Sequence, residues 1–231
     1  MDINKLSQFL PAALLALGLS TTAHATLIDR GNGMIYDSDQ NLTWLQDANY
    51  AKTSGYDSDG KMTWNDAMAW ADTLNYAGFN DWRLPTVIDK GNNGCDYSFS
   101  GGTDCGFNVD TSGSELAYLW YDILGNKGYY DTNGNAPQDG WGPNSKGADG
   151  VEFVNMEYSY FTGTEYATNK GLAWVFNPVT GLQSNAGKGG EIFAWAVRPG
   201  DVAAATDVPE PGSLLLLLAG IGGAIRSRRQ P

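Results

Sequence analysis

The single histidine of this 231-residue chain is His24. Activating a nucleophile through a Ser-His-Asp or Cys-His pair needs an imidazole, and most catalytic zinc sites need one as ligand. Residues 26–207 contain none, so those chemistries are closed to them. Carboxylates are plentiful, with 26 Asp and Glu against 14 Lys and Arg. Two carboxylates can run glycoside hydrolysis, yet no spacing singles out a pair. The residues therefore point to a non-enzymatic protein, with a carboxylate-dependent enzyme as the alternative.

Three other groups could carry chemistry. Asp37/Asp39 and Asp57/Asp59 place hard oxygen donors beside turn residues. Neither pair continues into the twelve-residue calcium loop, which closes on a bidentate Glu. Solvated turn carboxylates are the expectation; no cofactor is assigned, and calcium at Asp57 and Asp59 is left open. Cys95 and Cys105, the only cysteines, flank a Gly- and Ser-rich stretch. An even count in an exported chain reads as a disulfide that staples a loop. The segment Tyr129-Tyr130-Asp-Thr-Asn-Gly-Asn-Ala-Pro-Gln-Asp-Gly-Trp141 sets aromatic rings among Asn and Asp. Packed down, those rings anchor the loop. Exposed, they form stacking platforms for sugar rings with hydroxyl acceptors beside them.

Both chain ends read as addresses. Lys5, the apolar stretch from Phe9 to Leu19 and Ala23-His24-Ala25 have the layout of a cleaved signal peptide over 1–25. At the other end, Pro209-Glu210-Pro211 precedes an apolar helix candidate at 214–225 and the basic stop Arg226-Ser-Arg228-Arg229. Prolines hold off the helix until the apolar run begins, and arginines stay on the cytoplasmic side of a membrane. Twelve apolar residues are short of the roughly 20 that span a bilayer. Residues 208–231 resemble the PEP-CTERM sorting signal of Gram-negative bacteria. That resemblance implies a membrane stage as a transmembrane helix held transiently in the inner membrane. It also implies signal peptidase and exosortase as export partners, with delivery to the cell surface, outer membrane or extracellular matrix.

Removing Lys5, Arg226, Arg228 and Arg229 leaves ten of the 14 basic residues, and removing Asp2 and Glu210 leaves 24 of the 26 acidic ones, a net charge of −14. Such a body repels nucleic acid and anionic lipid, and favours cations, neutral polymers or basic surfaces.

The elements that must position these groups follow from patterning. Residues 26–200 suit one domain, with 201–207 as an Ala-rich linker. Leu27-Ile28, Gly33 to Tyr36 and Leu42 to Leu45 read as strands about a turn at Asp37 to Asn41. Thr63, with Asp66 three residues on, starts a helix whose apolar face is Trp64, Ala67, Met68, Ala71 and Leu74, and Gly78 is expected to stop it. Ser114 caps a second helix that runs to Gly125. Residues 125–150 form a turn-rich insertion. Phe153, 158–162, 172–176, 182–184 and 192–198 complete an antiparallel set, with Asn177 to Gly181 as a hairpin. Alternation of Phe193, Trp195 and Val197 predicts a half-buried strand.

Several of these segments carry a family likeness. Thr63-Trp-Asn-Asp-Ala-Met-Ala-Trp-Ala71, Asp81-Trp82-Arg83-Leu84-Pro85-Thr86, Gly163-Thr-Glu-Tyr166 and Ala194-Trp195-Ala-Val-Arg198-Pro-Gly200 resemble the Lcl C-terminal domain, in order, over residues 30–200. The resemblance implies an α+β fold related to C-type lectins and sulfatase-modifying factors, with two main helices, small antiparallel sheets and long loops. The family's Glu shortly after Arg-Leu-Pro-Thr is absent, since the chain reads Val87-Ile-Asp-Lys90, so the partner of Arg83 is open. Trp82, Leu84 and Trp195 are expected in the core, with Arg83 and Arg198 bridging loops rather than holding a ligand. Trp64-Asn65-Asp66 spells the calcium motif of C-type lectins but opens the first helix, and is not assigned to metal. The domain family's name comes from an adhesin. By that analogy the expected partner is extracellular polysaccharide or matrix, contacted through Tyr129, Tyr130 and Trp141, in the exopolysaccharide layer of a biofilm. A purely structural matrix protein is the remaining alternative.

Overall fold

A computed structural model describes residues 26–91 and 97–202. The signal peptide with Ala23 and Ala25, Cys95, and the sorting segment with Pro209, Glu210, Pro211, Arg226, Arg228 and Arg229 lie outside the described residues. In chain order the elements are β1 (Leu27–Asp29), β2 (Met34–Asp37), β3 (Leu42–Leu45), α1 (Tyr50–Thr53), β4 (Lys61–Met62) and α2 (Trp64–Thr73). Next comes α3, whose first turn Glu115–Tyr118 is α-helical and whose remainder Leu119–Ile123 is a π-turn. Then follow β5 (Tyr160–Glu165), β6 (Leu172–Asn177), β7 (Leu182–Gly187), β8 (Ile192–Phe193) and β9 (Val197–Pro199). The fold is α+β with small, mainly antiparallel sheets.

One sheet has the order β1-β2-β3-β9, so the first and last strands share it. Its β2–β3 turn is built by Asp37, whose carboxylate accepts the backbone N–H of Asp39 and of Gln40. Asp37 is fully buried. Burial outweighs these hydrogen bonds and pushes its carboxyl up. The second sheet has the order β4-β8-β5-β6-β7, with a parallel pairing only between β5 and β8.

Helix α2 starts as its sequence dictates. Thr63 caps it by accepting the Asp66 N–H, and the Thr63 hydroxyl donates to the Asp66 carboxylate at 2.6 Å. Its buried face is Ala67, Trp70 and Ala71, with Trp64, Met68 and Leu74 packed at the margin. The helix ends at Thr73, before Gly78, because Leu74 turns to extended backbone (ψ 123°). Ala77 and Gly78, both at positive φ, then make the turn that pairs Tyr76 with Phe79. The predicted half-buried strand at 192–198 is also corrected. Phe193 to Val197 are all buried, and the segment divides, β8 joining one sheet and β9 the other. Burial on both faces removes the solvent side that alternation presumes.

The core is aromatic: Trp44, Trp70, Trp120, Trp174 and Trp195 are fully buried. Trp195 sits within 5.0–5.5 Å of the rings of Phe153, Trp44 and Tyr160 and donates its indole N–H to Leu45 O at 2.7 Å. At the β6–β7 hairpin, Gly181 (φ +76°) lets the backbone pass where a Cβ would stand 2.7 Å from the Trp120 ring. Insertion 125–150 has no strand, yet it is tied down. Tyr129 N–H donates to Thr180 O, the Asn126 side chain donates to Asn144 O and accepts the Asn144 N–H, and Lys127 pairs with Gly142.

Candidate functional site

The insertion presents a run of aromatic rings. Trp141 stands edge-on to Tyr129 at 4.8 Å, and Tyr129 meets Tyr130 at 5.2 Å. Tyr130 in turn contacts Phe107 at 4.9 Å and lies stacked with Phe99 at 6.0 Å, the planes 23° apart. Tyr129, Tyr130 and Phe107 are half-buried, whereas Trp141 is 38% exposed and Phe99 42%. The row therefore combines both dispositions that the sequence left open: the tyrosines pack down, and the two ends face solvent.

Polar groups fix the row. Asn108 Nδ2 donates to Phe99 O at 2.8 Å and to Tyr130 O at 3.0 Å, joining the two loops that carry the rings. Gln138 Nε2 donates to Gly128 O at 2.6 Å and to Tyr130 O at 3.1 Å. Gly134 (φ +82°) lies against Phe99, where a Cβ would be 2.6 Å from the ring. Beside the row, the Asp131 carboxylate accepts from Asn135 Nδ2 and from the N–H groups of Asn133 and Asn135. These bonds, the Asn135 side chain foremost, hold its carboxyl below the usual range.

Past Trp141 the chain enters a groove of about 440 Å³. Pro143, Pro178, Val154, Val179, Glu152 and Glu157 line it, among others. Val154 and Val179 are exposed. An adjoining hollow of about 370 Å³ shares Asn155 and Glu157 with it and adds Asn49, Lys52 and Thr53.

The family-motif residues lie elsewhere. Trp82, Leu84 and Trp195 are buried, and Pro85 O accepts the Gly163 N–H. Arg83 makes a two-pronged pair with Glu115, Nη1 and Nη2 each 2.7 Å from a carboxylate oxygen. The partner missing from the local sequence thus arrives 32 residues later. Arg198 forks onto Asp81 (2.6 and 2.8 Å) and lies 4.3 Å from the Phe79 ring centroid. It holds the Asp81 carboxyl below the usual range.

Asp57 accepts the N–H groups of Asp59 and Gly60, and Asp59 pairs with Lys61 at 3.1 Å. Among the described residues no group of three or more His, Cys, Asp or Glu could hold a metal ion. Trp64 donates to Thr162 O and carries Lys188 over its ring at 4.1 Å. Cys105 is fully buried, and among the described residues no cysteine is free.

Comparison with known proteins agrees with the motifs at both ends of the reading. Residues 33–89 match the Lcl C-terminal domain. Residues 207–229 match the PEP-CTERM protein-sorting motif. The first match ends within the segment that follows Arg-Leu-Pro-Thr and covers the N-terminal part of the 30–200 likeness. The second marks an exported, exosortase-processed protein directed toward the cell surface. No curated protein and no solved structure matches the chain. Among the described residues no helix is long and apolar enough to cross a membrane, and the apolar segment 214–225 lies outside them.

Proposed function

We propose that the exported domain is a non-enzymatic glycan- or matrix-binding module of the exopolysaccharide layer, on a scaffold akin to the C-type-lectin and sulfatase-modifying-factor group. The observation that carries this reading is the aromatic row ending in exposed Trp141. An indole propped edge-on by a half-buried tyrosine offers a rigid apolar face for the C–H side of a sugar ring, at little cost in side-chain entropy. Asp and Asn residues beside it can accept hydrogen bonds from sugar hydroxyls. The high negative charge of the domain favours neutral or cationic glycans over acidic ones. Long Gly- and Asn-rich loops on small sheets support the scaffold assignment. Processing by signal peptidase and exosortase, with transient inner-membrane anchoring, would bring the module to the surface.

The test is a glycan array with the exported protein recovered from cells, run with and without calcium. Retention of a neutral or amine-bearing glycan, with no release of reducing ends, supports the proposal. Retention of none, or hydrolysis of a bound glycan, contradicts it.

A further inference from the structure

The groove beside the aromatic row has its own chemistry. Among the described residues that line it, Glu152 and Glu157 alone are charged. Glu152 accepts from the Ser145 hydroxyl at 3.2 Å and Glu157 from Asn49 Nδ2 at 3.1 Å, both neutral donors. Neither carboxylate is in an ion pair among the described residues. Asn49 is 2% exposed, so Glu157 is held by a fixed group rather than by a mobile surface chain. Beside these two anions Pro143, Pro178, Val154 and Val179 supply apolar wall and Ser145 and Asn155 polar wall, and the two valines stand open to solvent at 44% and 37%. Exposed aliphatic surface inside a concavity, beside carboxylates that no ion pair claims, fits a ligand that is part apolar and part cationic.

The groove is also continuous in sequence with the row. Pro143 lines it and lies two residues after Trp141. Two residues span at most about 7 Å, so a polymer stacked on Trp141 reaches the groove within one or two sugar units.

We infer that Glu152 and Glu157 select the glycan class: a polymer of amino sugars with free, protonated amines, one ring on Trp141 and the following rings in the groove. This rests on the glycan-binding reading and deepens it. An ammonium donates to a carboxylate where a neutral N-acetyl group leaves that carboxylate dehydrated and unpaired, which is the larger source of discrimination. Lys52, which lines the adjoining hollow together with Glu157, would oppose entry of an amine beyond that residue.

The experiment compares two hexamers of β-1,4-linked glucosamine, one fully deacetylated and one fully N-acetylated, by calorimetry at pH 6 on the exported protein. The deacetylated hexamer should bind about ten-fold tighter, the worth of one charge-assisted bond. Glu152→Gln with Glu157→Gln should erase that preference, weakening the deacetylated hexamer and relieving the penalty on the N-acetylated one; Trp141→Ala should weaken both. Equal binding of the two hexamers, or a preference that survives the double Gln variant, overturns the amino-sugar inference and leaves the glycan reading standing. Binding of neither overturns the amino-sugar inference, and the glycan array then decides the glycan reading. A hexalysine peptide that binds through Glu152 and Glu157 when neither hexamer does assigns the groove to a basic protein segment and overturns the inference as well.

Discussion

Replacing Glu115 with Gln tests whether the long-range pair, and not a local contact, holds the Arg-Leu-Pro-Thr element. The Glu115 carboxylate accepts three bonds, two from Arg83 and one from Thr86 N–H, each at 2.7 Å. The side chains are 19% and 36% exposed for Glu115 and Arg83, so solvent screens the pair only in part. A Gln offers one acceptor oxygen where three donors converge, and its NH₂ group must face a guanidinium or an amide. Charge-assisted bonds in dry settings contribute about 1.5–3 kcal/mol and exposed pairs about 0–1 kcal/mol, so this half-exposed set should cost about 2 kcal/mol. A domain of this size loses roughly 2–4 °C of melting temperature per kcal/mol, which predicts a drop of roughly 4–8 °C by calorimetry. Arg83→Met should cost a similar amount, and the double variant clearly less than the two together. A Glu115→Gln protein that melts within about 1 °C of the parent, or strictly additive costs, would refute the reasoning.

The Asp81–Arg198 pair sets an acid limb of stability. Since the folded Asp81 carboxyl lies below its ordinary 3.8, its contribution is complete above that value and is lost as pH falls through the depressed folded value. Urea titrations should show Asp81→Asn less stable near neutrality and flatter below pH 4; parallel curves would contradict this. Gly181→Ala would place a Cβ 2.5 Å from Tyr121 Oη and 2.7 Å from the Trp120 ring at φ +76°. It should cost more than about 2 kcal/mol, while Gly187→Ala, with nothing within 4 Å, serves as the neutral control. If Cys95 and Cys105 are bridged, intact mass should rise by two hydrogens on reduction and Cys95→Ser should melt lower, by up to about 3 kcal/mol of stability. A free thiol on the secreted protein would sink that pairing.

Local signals were legible where the local physics decides. Thr63 and Ser114 each cap a helix with the side-chain oxygen, and the turn at Asp37 closes on its own carboxylate. Packing overrode them elsewhere. The helical face at Trp64, Met68 and Leu74 is only its margin, because Trp70 takes the centre against the core. Residues 192–198 look like one strand, and only the presence of a second sheet explains why they divide. Arg83 finds its acid across 32 residues, a separation that no local spacing encodes. At the candidate site, Tyr129, Tyr130 and Trp141 stood out as aromatics in an Asn- and Gly-rich loop. Phe99 did not, since it comes from a different loop, which the Asn108 bonds join to theirs. Glu152 and Glu157 were two acids among 24 until the fold placed them in one groove.

The most direct test of the central claim is oligosaccharide affinity of Trp141→Ala, measured beside its melting temperature. Trp141 is 38% exposed and rests mainly on Tyr129, so its removal should cost stability no more than about 1.5 kcal/mol, the range of one aromatic pair. If the row binds glycan, affinity for a retained hexasaccharide should fall about ten-fold or more, the loss of one stacked ring, while the protein stays folded. Unchanged affinity in a folded Trp141→Ala protein, or a protein that unfolds on losing this side chain, would show that the row is an anchor and not a binding surface.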